Sequence, residues 1–127
     1  MYHILVVDDE AKIREIIKKY AVFEGYRVSE AANGMEAIDL CRTESFDLII
    51  MDVMMPELDG LSATRAIRGM DRPDAQLPII AMTANLFDED VAACLEAGMD
   101  GHIPKPLDAA QMLRTIVECI RRKRHDA

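Results

Sequence analysis

The residues of this chain with types and spacing suited to chemistry stand at the ends of short apolar runs. Asp8, Asp9 and Glu10 follow Ile4–Val7, and Asp52 follows Leu48–Met51. Thr83 closes Ile79–Thr83, and Lys105 closes Gly101–Lys105. Acidic residues often end apolar runs simply because loops are polar. Asp52 after a wholly apolar run and the adjacent pair Asp8-Asp9 ask for more. Two unit charges about 4 Å apart repel by about 4 kcal/mol at a surface-like dielectric. Gathering Asp8, Asp9 and Asp52 in one place is therefore unfavourable unless a cation neutralises them. Hard oxygen donors suit Mg²⁺, which takes one or two protein carboxylates and keeps water or phosphate for the rest. The Lys105 ammonium and the Thr83 hydroxyl suit phosphoryl oxygens. An aspartate can itself attack phosphorus and form an aspartyl phosphate, with metal and lysine clamping the charge of in-line transfer. Asp52 is the best nucleophile candidate, with Asp8 and Asp9 holding the metal.

Those groups meet only if the apolar runs lie side by side. Strands are predicted at Ile4–Val7, Arg27–Ala32, Leu48–Met51, Ile79–Thr83 and Gly101–Lys105. Helices are predicted between them. The first carries Ile13, Ile16, Ile17, Tyr20 and Ala21 at helical spacing and stops at Gly25. The second runs from about Met35 to Glu44, and the third follows Asp59-Gly60 to about Arg68. The fourth is N-capped by Asp88 and ended by Gly98. The fifth is capped by Asp108, with Met112, Leu113, Ile116, Val117 and Ile120 on its apolar face. Leu48–Met51, apolar on both faces, belongs at the centre of a sheet. Pro104 lacks a donor and suits an edge strand. Five βα units in succession predict an α/β, doubly wound, five-stranded parallel sheet with helices on both faces, as one domain over residues 1–127. In such sheets ligands bind beyond the carboxyl ends of the strands.

Composition excludes several alternatives. The chain has 127 residues, half of them hydrophobic and 30% charged, as in ordinary globular proteins. Its apolar runs fall far short of the about 20 residues of a membrane span, and no signal-peptide pattern opens it. A cytoplasmic protein without membrane contact is expected. The net charge of −8 argues against direct nucleic acid binding. The one basic cluster, Arg121-Arg122-Lys123-Arg124, reads as a helix C-terminus complementing the helix dipole. Cys41, Cys94 and Cys119 have no metal-ligand spacing and read as buried thiols in a reducing compartment.

Taken together, four segments resemble the receiver domain of two-component response regulators, the CheY-like family. They are Ile4-Leu-Val-Val-Asp-Asp-Glu10, Asp47-Leu-Ile-Ile-Met-Asp-Val-Met-Met-Pro-Glu-Leu-Asp-Gly60, Pro78-Ile-Ile-Ala-Met-Thr-Ala84 and Gly101-His-Ile-Pro-Lys-Pro106. The resemblance covers essentially the whole chain and implies a flavodoxin-like strand order 2-1-3-4-5. It implies that Asp52 accepts a phosphoryl group from a histidine kinase or histidine phosphotransferase. It also implies that Asp9, Asp52 and the Met54 carbonyl ligate Mg²⁺, Asp8 reaching the metal through water. Thr83 and Lys105 would bind phosphoryl oxygens, Pro56 and Gly60 would shape the loop after Asp52, and Lys105-Pro106 would be the family's cis bond.

By the same resemblance, Thr83 swings toward the phosphorylated Asp52 and the residue at position 102 rotates inward behind it. Here that residue is His102 in place of the commoner Tyr or Phe, a smaller side chain that titrates near neutrality. Met54 and Asn85 match the family's positions that tune acyl-phosphate hydrolysis. The output surface would comprise Asp88–Gly98 and Asp100–Lys123, facing a downstream protein target or an effector domain outside this chain. The second half resembles receivers of hybrid histidine kinases, the first sixty residues those of DNA-binding regulators. The implied protein is a signalling switch, not a turnover enzyme. A Mg²⁺-dependent aspartyl-phosphate hydrolase is the alternative. It resembles the haloacid dehalogenase class only loosely, because Asp8 and Asp9 are adjacent and 127 residues leave little room for a cap. A flavin-binding module would need a Gly/Ser/Thr-rich phosphate loop where Asp8-Asp9-Glu10 stand.

Overall fold

The computed structural model describes residues 2–55, 58–71, 76–83, 88–105 and 108–126. Strands and helices alternate as β1 (His3–Val7), α1 (Ala11–Phe23), β2 (Arg27–Ala31), α2 (Gly34–Thr43), β3 (Leu48–Asp52), α3 (Gly60–Arg68), β4 (Ile79–Thr83), α4 (Asp88–Ala97), β5 (Gly101–Pro104) and α5 (Ala109–Asp126). All strand pairs are parallel, in the order β2-β1-β3-β4-β5. The apolar strand β3 is central, and β5 with Pro104 is an edge, as their sequences require.

Alternation along the strands divides the core in two. Leu5, Val7, Ile49, Met51, Ile79 and Ala81 face one side, where α2, α3 and α4 supply Ala37, Ile38, Cys41, Ala63, Ile67 and Cys94. Ile4, Val6, Leu48, Ile50, Ile80, Met82 and Ile103 face the other, against Ile17 of α1 and Met112, Ile116, Cys119 and Ile120 of α5. All three cysteines are buried, as expected.

Local signals set where the helices begin and stop. Asn33 caps α2 by accepting from the Glu36 N–H at 2.9 Å, Asp59 caps α3 by accepting from Ser62 at 2.8 Å, and Asp108 accepts from Gln111 at 3.2 Å. Gly25 and Gly98 leave α1 and α4 at φ +94° and +106°, the left-handed conformation that favours glycine. α4 spans Asp88–Ala97. The cap expected of Asp88 turns on residues 84–87, which lie outside the described residues. Strand ends move slightly: β3 includes Asp52, while β2 and β5 end one residue early, at Ala31 and Pro104.

Candidate functional site

The ladder register assembles the site. Val7 lies beside Met51, so Asp8 and Asp52 are the next residues on two neighbouring strands. Asp52 lies beside Met82, which puts Thr83 one step beyond it. Thr83 lies beside Pro104, which puts Lys105 one step beyond that. Backbone bonds close the rim: the Asp8 N–H donates to the Ala31 carbonyl at 3.2 Å, and the Lys105 N–H to the Thr83 carbonyl at 3.0 Å. Parallel pairing thus brings residues nearly a hundred positions apart to one end of the sheet.

Asp8, Asp9 and Asp52 each place a carboxylate oxygen within 4.8 Å of the others. Asp8 is 0% and Asp52 3% exposed, whereas Asp9 faces solvent. Asp8 is oriented by the Glu10 N–H, which donates to its Oδ1 at 2.8 Å, and its carbonyl accepts from Arg14 at 2.7 Å. Asp52 Oδ1 accepts from the Met54 N–H at 3.2 Å. The Lys105 ammonium stands 3.1 Å from Asp8 Oδ2 and 3.4 Å from Asp52 Oδ2.

The electrostatics follow from burial. Loss of water, then the neighbouring Asp8 charge, push the Asp52 carboxyl up from 3.8 to about 6, against the pull of Lys105 and the Met54 N–H. Burial works against the Lys105 charge, but its contacts with Asp8 and Asp52 outweigh that and raise its pKa. One ammonium facing three carboxylates leaves a negative excess. Asp8 Oδ2 is fully buried, and among the described residues its partner is the Lys105 ammonium at 3.1 Å. An oxygen-only set of three carboxylates gathered within 4.8 Å, with one ammonium to offset it, fits a small, hard divalent cation such as Mg²⁺.

Of the other residues expected at the site, Thr83 is buried at the end of β4. Met54 follows β3 and is 71% exposed. Gly60 begins α3 directly over β3: a Cβ there would fall on the Asp52 carbonyl oxygen and 2.9 Å from Val53 Cα. His102 is exposed on β5 and lines, with Thr83, a cleft of about 340 Å³ whose other walls include Val91, Cys94, Leu95 and Thr115. That cleft lies within the expected output surface. Pro56, Asn85 and Pro106, and with it the Lys105-Pro106 bond, lie outside the described residues. Sequence reasoning missed Arg14, which joins Asp8 to Glu30 of β2, with Nε 3.2 Å from Glu30 Oε1. A basic residue in the second turn of a helix carries no local signal of such a role.

Fold and site together define a doubly wound α/β domain with an acidic pocket at the carboxyl ends of its strands. The family model of the response regulator receiver domain matches residues 4–117, and the chain belongs to that family. It is 39% identical over 119 residues to the response regulator MprA of Mycobacterium tuberculosis, covering 94% of this chain and 50% of that protein. The chain therefore spans about half the length of that relative. Among solved structures it is similar to the chemotaxis protein CheY4 of Vibrio cholerae, with 31% identity, TM-score 0.89, and 94% of this chain and 98% of that one covered. It is also similar to the receiver domain of the sensor histidine kinase PA1611 of Pseudomonas aeruginosa, with 37% identity, TM-score 0.85, and coverage of 94% and 97%. The latter structure holds a magnesium ion coordinated in its active site cleft. This chain is thus a phosphoacceptor signalling module of the two-component type. Among its described residues, no helix is long and apolar enough to cross a membrane.

Proposed function

We propose that Asp52 is the phosphoacceptor and that residues 1–127 form one receiver domain which switches when Asp52 is modified. The observation that carries this reading is the convergence of buried Asp52 and Asp8 with exposed Asp9 and the Lys105 ammonium. At neutral pH Asp52 is mostly ionised despite its raised pKa, so a carboxylate oxygen is available to attack phosphorus. The new O–P bond forms as the N–P bond of a donor phosphohistidine breaks. Lys105 is placed to take a phosphoryl oxygen, and Thr83 to take another once its hydroxyl turns toward the adduct. Asp8, Asp9, Asp52 and the Met54 carbonyl would hold Mg²⁺, which when bound neutralises charge on the phosphoryl oxygens.

The donor is a histidine kinase or histidine phosphotransferase. The receiver of a downstream signal is a protein, or an effector domain outside this chain, that reads α4, β5 and α5. Thr83 and His102 line one cleft on that surface, which supports a route from the site to it. A net charge of −8 disfavours direct binding to nucleic acid. The setting is cytoplasmic, and the domain is a switch that turns over its own phosphoryl group and not external substrates.

Incubation with acetyl phosphate tests the assignment by intact mass. The expected result is one Mg²⁺-dependent, hydroxylamine-sensitive phosphoryl adduct that is lost in Asp52→Asn and diminished in Asp9→Ala. An adduct that persists in Asp52→Asn overturns the assignment. Sustained turnover of a generic phosphomonoester would favour an aspartyl-phosphate hydrolase.

A further inference from the structure

At the end of the sheet opposite the acidic pocket, Arg68 forms a hydrogen-bonded junction that no step of the proposed phosphoryl transfer uses. It is the last residue of α3, and its side chain is only 15% exposed. Its Nε and Nη2 both donate to the Gly98 carbonyl, at 3.0 and 2.7 Å. Nη2 also meets Asp100 Oδ2 at 2.7 Å, and Nη1 donates to the Leu77 carbonyl. Asp100 Oδ2 in turn accepts from the Ile79 N–H at 2.9 Å, while the Asp100 N–H donates to the Ile79 carbonyl at 2.8 Å. One guanidinium therefore ties the end of α3 to the entry of β4, the exit of α4 and the entry of β5.

Gly98 is where α4 stops, and its φ of +106° turns the chain toward β5. Its backbone lies so close to Arg68 that a Cβ would meet Arg68 Cγ at 3.1 Å and Nε at 3.2 Å. Toward the C-terminal end of α4, Cys94 and Ala97 are buried against the sheet, as is Met99 just beyond, while Leu95 and Glu96 face outward. The C-terminal end is held by packing and by charge-assisted bonds, which are roughly twice as strong as neutral ones. The N-terminal end is the one joined through the chain to Thr83.

We propose that Arg68 is a positioning residue for the switch: it pins the C-terminal end of α4, so that displacement of Thr83 pivots the helix about Gly98 and does not translate it. The inference rests on the proposed role of Asp52 and adds a fixed point to it. A pinned end converts a small movement at Thr83 into a larger one at the start of α4, on the surface a partner reads. With the pin released, the same input would spread along the whole helix.

Amide NMR with Mg²⁺ and beryllofluoride, an analogue of the phosphoryl group, tests this. Occupancy at Asp52 is read separately from the bound fluorine resonance. In the native chain, amides 88–92 should shift several-fold more than amides 96–100. In Arg68→Met the adduct should still form, and the shifts should extend through 96–100. Arg68→Lys, which keeps the charge and can still donate to Gly98, should restore most of the gradient. A purely structural role would lower stability in Arg68→Met without changing the gradient. Equal shifts at both ends of α4 in the native chain overturn the proposal even if Arg68→Met does not fold. So does a folded Arg68→Met that keeps the native gradient. Failure of beryllofluoride to bind at all overturns the Asp52 reading and this inference with it. Occupancy without a gradient overturns this inference alone.

Discussion

Asp8 and Asp52 bring carboxylate oxygens within 4.8 Å of one another while almost wholly shielded from water. Adjacent strands in register force this proximity, because each residue follows one member of the pair Val7–Met51. The fold thus holds two like charges together at a cost, and that cost is measurable.

Removing the Asp52 charge should stabilise the metal-free protein. Its pKa rises from 3.8 unfolded to about 6 folded, so the folded state binds the proton more tightly. The associated stability is fully present below about pH 4 and is lost as pH rises through 6. A difference of about two pKa units corresponds to about 3 kcal/mol at neutral pH. Asp52→Asn should therefore gain up to about 3 kcal/mol in urea unfolding at pH 7.5 with EDTA. At pH 4 the gain should vanish. A gain independent of pH would mean that burial and charge repulsion are not its source.

Lys105 is the protein's own counter-charge to this pair. Lys105→Met should cost about 1–3 kcal/mol in the absence of metal, because it leaves Asp8 and Asp52 facing each other uncompensated. Combining it with Asp52→Asn should recover much of the loss. A double-mutant cycle by chemical denaturation gives the coupling directly, and additive effects would contradict the 3.4 Å ion pair.

Mg²⁺ should raise the melting temperature in a concentration-dependent way, since a ligand that binds only the folded state stabilises it by mass action. Asp9→Asn should abolish most of this response. It should change metal-free stability by no more than about 0.5 kcal/mol, as Asp9 is exposed and substitutions at such positions are usually that mild. Differential scanning fluorimetry with and without the cation checks both halves of the expectation.

Gly60→Ala should be among the most damaging small substitutions. Its methyl group would be driven into the Asp52 carbonyl and the Val53 backbone, forcing α3 off the end of β3 at a cost of about 1–3 kcal/mol or more. Gly69→Ala provides the control. There the nearest atom is the Arg65 carbonyl oxygen at 3.5 Å and φ is −81°, so thermal unfolding should barely change.

Much of this architecture was legible because parallel strands are buried on both faces and their apolar runs stand out from amphipathic helices. Asp8, Asp52, Thr83 and Lys105 group together in the sequence alone, since each ends such a run. The exact rim is not legible there. β5 ends at Pro104 and β3 takes in Asp52, differences of one residue that hydrogen bonding decides and composition does not. Less legible still were Arg14 and Arg68. Arg68 meets Asp100 across 32 positions, and only the placement of α3 against the starts of β4 and β5 brings them together. Periodicity identifies which face of a helix is apolar. It says little about where one long polar side chain at the helix end will reach.

The placement of one buried thiol on each of α2, α4 and α5 also makes the cysteines into clocks for those helices. Cys41 of α2 and Cys94 of α4 are buried on one face, Cys94 at the wall of the cleft, and Cys119 of α5 on the other. Burial also holds the Cys119 thiol above its ordinary pKa, so it is a sluggish nucleophile until its surroundings open. An alkylating reagent would therefore mark each position at the rate at which its own layer breathes. Following which thiol reacts first would rank the helices by how readily each lifts from the sheet.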